Sequence, residues 1–166
     1  MMHHRKFGTG HNLPNGTRDG EWSQGSNSRV DVLVAENNET NKFYIENVLS
    51  TLGLSFKTVE NGVAAVEAFR SCRPRIILMD IAMPLSDGVE ATINIRRYEE
   101  HNDLSPVPII ALSANAIPGL RERYLAAGMN DSLLKPYSID QISKILDDWI
   151  LPASEDEITS ASSAGP

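Results

Sequence analysis

The sequence predicts an α/β domain, five βα units in succession on one parallel sheet. Three observations predict it. Short apolar runs alternate with longer stretches of helical periodicity. Three of the runs are almost uninterruptedly apolar, as in strands of a parallel sheet buried on both faces. Gly, Asn, Asp and Pro punctuate the junctions. Crossovers between parallel strands are right-handed, and no repeat of 20–50 residues marks a solenoid.

The first strand is Val30-Asp31-Val32-Leu33-Val34-Ala35. Asn38 opens a helix with Phe43, Val48, Leu49 and Leu52 on one face, closed by Gly53. Residues 55–59 form the second strand. After Asn61-Gly62, a helix places Ala64, Ala65, Ala68 and Phe69 inward. Ile76-Ile77-Leu78-Met79 is the third strand. Met83-Pro84 and Asp87-Gly88 break the chain before a helix through Ile93 and Ile95. Pro106 and Pro108 introduce the fourth strand, Ile109-Ile110-Ala111-Leu112. A helix with Leu120, Tyr124 and Leu125 ends at Gly128, a short strand covers 132–134, and a last helix runs over 139–150.

The 166 residues suffice for one domain with a real core. That domain is expected at 29–151. Residues 1–28 hold five of the eleven glycines and no periodic apolar pattern, so they read as a flexible arm in which Phe7, Leu13 and Trp22 are too scattered to build a core. His3 and His4 there lack Cys or carboxylate partners and read as solvated. Residues 152–166 read as a disordered acidic tail. The net charge of -7 argues against general affinity for nucleic acid or an anionic membrane. No apolar run reaches the roughly 20 residues that span a bilayer, and no secretory signal follows the N-terminal methionines. One cysteine, Cys72, cannot form an internal disulfide, so a cytoplasmic location is expected.

The polar residues fall in an informative place. Glu36 and Asn37 follow the first strand, Asp80 the third, Ser113 the fourth and Lys135 the fifth. In open α/β sheets that carboxyl edge, where strand order reverses, is where ligands bind. With the order 2-1-3-4-5, Glu36, Asn37 and Asp80 converge, and Ser113 and Lys135 approach from the other side. A carboxylate can accept a phosphoryl group as an acyl phosphate. Oxygen ligands can hold Mg2+. A lysine and a hydroxyl can neutralise and orient the remaining phosphoryl oxygens. Each residue alone has a plainer explanation: a loop-capping Asp, a turn Ser, a common Lys-Pro dipeptide. Their joint placement at four strand ends favours a site. Met79 and Met129 read as core filler.

The motifs Val32-Leu33-Val34-Ala35-Glu36-Asn37-Asn38 with Asn41, Leu78-Met79-Asp80-Ile81-Ala82-Met83-Pro84 with Asp87-Gly88, Ala111-Leu112-Ser113-Ala114-Asn115-Ala116, and Ala126-Ala127-Gly128-Met129-Asn130-Asp131 with Leu134-Lys135-Pro136 together resemble the receiver domains of two-component signalling, in the form attached to hybrid sensor kinases. The resemblance implies a flavodoxin-like (βα)5 sandwich with a five-stranded parallel sheet of order 2-1-3-4-5 and helices on both faces. It implies Asp80 as phosphoacceptor, Ser113 as switch hydroxyl and Lys135 as the phosphate-contacting lysine, with a cis Lys135-Pro136 bond. It implies Mg2+ held by Glu36, Asn37, Asp80 and the backbone carbonyl of Ala82. Phosphate would come from a histidine kinase or a histidine phosphotransfer domain. Beyond its own phosphorylation and dephosphorylation the chain is expected to catalyse nothing.

Two positions depart from the family pattern. Asn37 stands where a second acidic residue is usual, removing a negative charge from the dication site, so weak Mg2+ binding is expected. Ser132 stands where the family places Tyr or Phe. A serine cannot swing a ring into space vacated by Ser113, so any response is expected around Asp80, 83–88 and 113–118, with a weak one at the far end of the fifth strand. Tyr137 is a substitute ring from a different place on the loop. These departures keep a second reading open, a pseudo-receiver that docks proteins with little or no phosphorylation. An aspartyl-phosphate phosphatase of the haloacid dehalogenase type is disfavoured because Ala82 occupies the place of its second Asp. A nucleotide-binding enzyme is disfavoured because no G-x-x-x-x-G-K-[ST] motif occurs. The 16 residues after Ile150 leave no room for an output domain, so output is expected from a partner or from chain beyond this sequence.

Overall fold

In a computed structural model, residues 29–150 are described. The expected arms, with His3, His4, Phe7, Leu13 and Trp22, lie outside them. The elements are β1 (Val32–Ala35), α1 (Glu39–Thr51), β2 (Phe56–Val59), α2 (Gly62–Cys72), β3 (Ile76–Asp80), α3 (Gly88–His101), β4 (Ile109–Ser113), α4 (Leu120–Ala126), β5 (Asp131–Leu134) and α5 (Ile139–Trp149). All strands pair in parallel, in the order β2-β1-β3-β4-β5. Alternate residues of each strand face opposite layers. Leu33, Ala35, Ile77, Met79, Ile109 and Ala111 pack under α2 and α3 with Ala65, Phe69, Ala91, Ile95 and Met129. Val32, Val34, Ile76, Leu78, Ile110 and Leu112 pack under α1 and α5 with Ile45, Leu49, Ile142 and Leu146. The strands expected to be central, β1, β3 and β4, are buried at every residue.

Side-chain caps fix where four helices start. Asn38 accepts from the Asn41 N–H, Asn61 from Ala64, Asp87 from Glu90 and Ser138 from Gln141, the last within a capping box. Helix α4 is the exception. It starts at Gly119, whose φ of 87° is left-handed, with no side-chain cap.

The expected inner face of α1 needs correction. Phe43 is 68% and Leu52 43% exposed, while Ile45, Val48 and Leu49 are buried. At 100° per residue Phe43 lies roughly 160° around the helix from the centre of that stripe. Leu52 is the C-cap, already past the last turn.

The amino end of the sheet is held by polar clamps. Asp31 accepts from the Ser55 N–H (2.9 Å) and hydroxyl (2.6 Å) and pairs with Arg75 (3.3 Å). The Arg96 guanidinium donates to the carbonyls of Gly128 (2.9 Å) and Val107 (2.8 Å), to Asn130 Oδ1 (3.0 Å) and to Glu99 Oε2 (2.6 Å). Glu99, 2% exposed, accepts from the Val107 N–H with its other oxygen (2.7 Å). Cys72 is free and buried. Among the described residues no helix is long and apolar enough to cross a membrane.

Candidate functional site

The carboxyl edge of the sheet collects the residues expected there. Asp80 is the last residue of β3 and Ser113 the last of β4, so each is held in its ladder rather than following it. Asp80 pairs in register with Leu112, and Ser113 with Leu134. Glu36 and Lys135 each come one residue after a strand. The Glu36 N–H donates to Val59 O at 3.0 Å and the Lys135 N–H to Ser113 O at 2.7 Å, so both backbones are anchored to a neighbouring strand. The Lys135–Pro136 bond is cis.

One ammonium joins two carboxylates. Lys135 Nζ is 2.7 Å from Glu36 Oε2 and 3.0 Å from Asp80 Oδ2. Glu36 is fully buried and Asp80 4% exposed. Glu36 is further held by the Asn38 N–H (2.9 Å) and Asn41 Nδ2 (3.4 Å), and Asp80 Oδ1 by the Ala82 N–H (3.2 Å). Burial pushes the Glu36 carboxyl above its ordinary range and the Asp80 charge adds to it, against the pull of the Lys135 and Asn38 bonds. Asn37 is exposed beside this cluster. Tyr137 does not reach the site as a partner: its ring lies in the layer under α1 and α5, 6.3 Å from the Tyr44 ring, and its hydroxyl has no hydrogen-bond partner among the described residues. Burial and the nearby Glu36 and Asp80 charges push that hydroxyl up.

Ser113 has a neighbour that sequence reasoning missed. Its Oγ is 3.2 Å from the Tyr124 hydroxyl on α4. Tyr124 fell on the apolar stripe of a helix, and nothing in that periodicity distinguishes a phenol that fills a core from one that also bonds a serine.

The donors suit a hard dication. Glu36 and Asp80 are carboxylates joined through one ammonium, oxygen ligands of the kind Mg2+ takes, and Asn37 and the Ala82 backbone stand next to them in the chain. Glu36, Asp80 and Lys135 sum to -1, so a bound dication turns the pocket to +1, the sign that attracts a phosphoryl group.

The floor of the site depends on a missing side chain. A Cβ at Gly88 would run into the Asp80 carbonyl oxygen and stand 2.9 Å from Met79 Cγ. The Gly88 N–H also donates to Ile81 O at 3.1 Å, so α3 cannot slide away freely. Gly88→Ala is expected to cost about 2–3 kcal/mol, read as a lower urea midpoint at unchanged m-value. An unshifted midpoint would show that the loop yields easily.

Comparison with known proteins agrees with this geometry. Residues 32–147 match the family described as response regulator receiver domain. The chain is 38% identical over 122 residues to the peroxide stress-activated histidine kinase mak1 of Schizosaccharomyces pombe, covering 72% of this chain and 7% of that protein. It is 34% identical over 118 residues to the sensor histidine kinase GacS of Pseudomonas protegens, covering 71% of this chain and 13% of that protein. The chain thus spans a small fraction of the length of these relatives. Among solved structures, it resembles the receiver domain of sensor histidine kinase PA1611 from Pseudomonas aeruginosa, crystallised with a magnesium ion in the active site cleft (41% identity, TM-score 0.66, 74% of this chain and 98% of that one). It also resembles a chain in the co-crystal structure of the Saccharomyces cerevisiae histidine phosphotransfer protein Ypd1 with the receiver domain of the response regulator Ssk1 (30% identity, TM-score 0.70, 74% and 89%).

Proposed function

We propose a function from one premise: the chain belongs to the response regulator receiver domain family. Asp80 accepts a phosphoryl group from a phosphohistidine. A carboxylate oxygen of Asp80 bonds to phosphorus, the N–P bond to the imidazole breaks, and the imidazole takes a proton from solvent. The observation that carries the reading is the single Lys135 ammonium set between Asp80 and Glu36. It sits where it can hold the oxygens of a phosphoryl group on Asp80, with Ser113 on the neighbouring strand end as a further donor. Beyond its own phosphorylation and dephosphorylation the domain has no catalytic task in this reading.

Glu36, Asn37, Asp80 and the Ala82 carbonyl would hold Mg2+. When bound, the ion neutralises charge on the phosphoryl oxygens. Asn37 supplies an oxygen but no charge, which supports weak binding. Asn37→Asp is expected to tighten Mg2+ binding on the order of tenfold, equivalent to about 1.4 kcal/mol, in a calorimetric titration. Equal or weaker affinity in the variant would remove Asn37 from the metal pocket.

A histidine phosphotransfer domain or histidine kinase is the proposed donor. The largest exposed apolar side chains include Phe43 on α1, Leu85 between β3 and α3, and Ile117 between β4 and α4, all on segments leaving the carboxyl edge of the sheet. Such a rim supports protein docking over the acceptor. A cytoplasmic location is supported by the free, buried Cys72. The test is incubation with acetyl phosphate or a phosphorylated phosphotransfer domain, with and without Mg2+, followed by intact mass. One added phosphate is the expected result. No label from any donor, with partner binding retained, would favour the pseudo-receiver.

A further inference from the structure

The Ser113–Tyr124 pair joins the end of β4 to α4 inside the protein, at 5% and 6% exposure. Its proton arithmetic is constrained. Ser113 Oγ accepts from the Asn115 N–H and has the Asn115 carbonyl in donating range, each at 3.2 Å. A serine has one proton and two lone pairs. With its proton given to Asn115, the remaining lone pair is filled by Tyr124 as donor. The same seryl proton is the one a phosphoryl oxygen on Asp80 would recruit.

Helix α4 is built to respond. It has seven residues and no side-chain cap, and its ion pair to β5, Arg121 to Asp131 at 3.3 Å, is exposed. Beside the phenol lies a cavity of about 190 Å3 lined by Ser113, Leu120, Tyr124, Ser132, Leu133 and Leu134. Ser132 and Leu134 share one face of β5 here, and at Ser132 the lining side chain is small, so the cavity leaves room for the tyrosine to follow a displaced Ser113.

We propose that Tyr124 is the positioning residue through which occupancy of the Asp80 site passes from Ser113 to α4. This rests on the phosphoacceptor reading above for its trigger, though the link itself exists in the resting protein. When Ser113 turns its hydroxyl towards a phosphoryl oxygen, it leaves Asn115 and carries its acceptor lone pair away from where Tyr124 now points. A buried phenol left without an acceptor is costly, so Tyr124 follows and takes α4 with it. The rearranged surface is α4 and its preceding loop, while β5 beyond Ser132 stays in place.

The test is a double-mutant cycle read by amide chemical shifts, without any phosphoryl donor. Ser113→Ala is expected to shift amides across 120–128 in the otherwise natural chain, and to leave them unmoved when Tyr124 is already Phe. Tyr124→Phe keeps the ring and its packing, and an unchanged fold is checked by the amides of β1 and α5. Equal α4 shifts in both backgrounds, or none in either, overturn the proposal. A second arm adds beryllofluoride, with binding at Asp80 read independently by fluorine NMR. Bound beryllofluoride should move α4 in the natural chain and not in Tyr124→Phe, while shifts at 80–88 persist in both. Equal α4 movement in the two proteins overturns the link. Failure of beryllofluoride to bind the natural chain counts against the phosphoacceptor reading, and the donor-free cycle still decides the Ser113–Tyr124 link.

Discussion

Asp80→Asn is expected to abolish phosphorylation while leaving the protein folded: the natural chain should gain one phosphate mass from acetyl phosphate and the variant none. The amide has nearly the shape of the carboxylate, and its oxygen can still accept the Ala82 N–H bond seen at 3.2 Å. It cannot form the acyl phosphate, because it lacks a nucleophilic carboxylate oxygen. Stability separates loss of chemistry from loss of fold. The substitution removes one of two buried carboxylates that share Lys135, and the remaining Glu36–Lys135 pair is balanced. The variant should therefore unfold within about 1 kcal/mol of the natural chain, towards greater stability. Intact mass and a urea curve on the same samples decide the matter. Equal labelling of the variant would sink the assignment of Asp80.

Lys135→Ala is the second large effect, and it falls on stability as well as chemistry. Removing the ammonium leaves Glu36, fully buried, facing Asp80 at 4% exposure with no cation between them. Breaking a buried charge set in this way costs about 3–5 kcal/mol, a large share of the roughly 5–15 kcal/mol that holds a domain together. Two comparisons isolate the cause. Adding Glu36→Gln to the alanine variant should restore much of the loss, because it removes the unpaired charge. Mg2+ should raise the urea midpoint of Lys135→Ala more than that of the natural chain, because a dication supplies the missing charge. Phosphorylation should slow on the order of 10²–10³-fold, the usual consequence of deleting one preorganised donor to the transferred group. A stable Lys135→Ala protein that labels at the natural rate would show that the lysine only decorates the site.

The strands of the parallel sheet were legible because the strand signals are composition signals, while their order came from the resemblance to receiver domains. Val32-Leu33-Val34 and Ile76-Ile77-Leu78-Met79 are apolar throughout, as strands buried on both faces are, and both are buried at every residue. The cluster of Glu36, Asp80 and Lys135 was legible for a related reason, since strand ends in a parallel sheet share an edge. What periodicity could not supply was angular detail. Phe43 sits among apolar neighbours in sequence yet faces outward, since only a capped start at Asn38 fixes which side of α1 turns in. Tyr124 shows the complementary limit. Its burial follows from the helical pattern, but its bond to Ser113 depends on how far α4 stands from β4, a tertiary distance with no local signature.

The Arg96 clamp gives the domain a mechanical asymmetry. One guanidinium grips the carbonyls of Val107 and Gly128, the Asn130 side chain and the Glu99 carboxylate, all at the end of the sheet away from Asp80. The strands β4 and β5 are thus fixed at one end like beams set in a wall, and their opposite ends, tied to each other by the Lys135 N–H to Ser113 O bond, carry Ser113 and Lys135. A beam set at one end deflects most at the other. Side-chain rearrangement at Ser113 and Lys135 is then separated from the clamp by the five residues of β4 and the four of β5. Loops at the site can change state many times over while the scaffold that positions them keeps its shape.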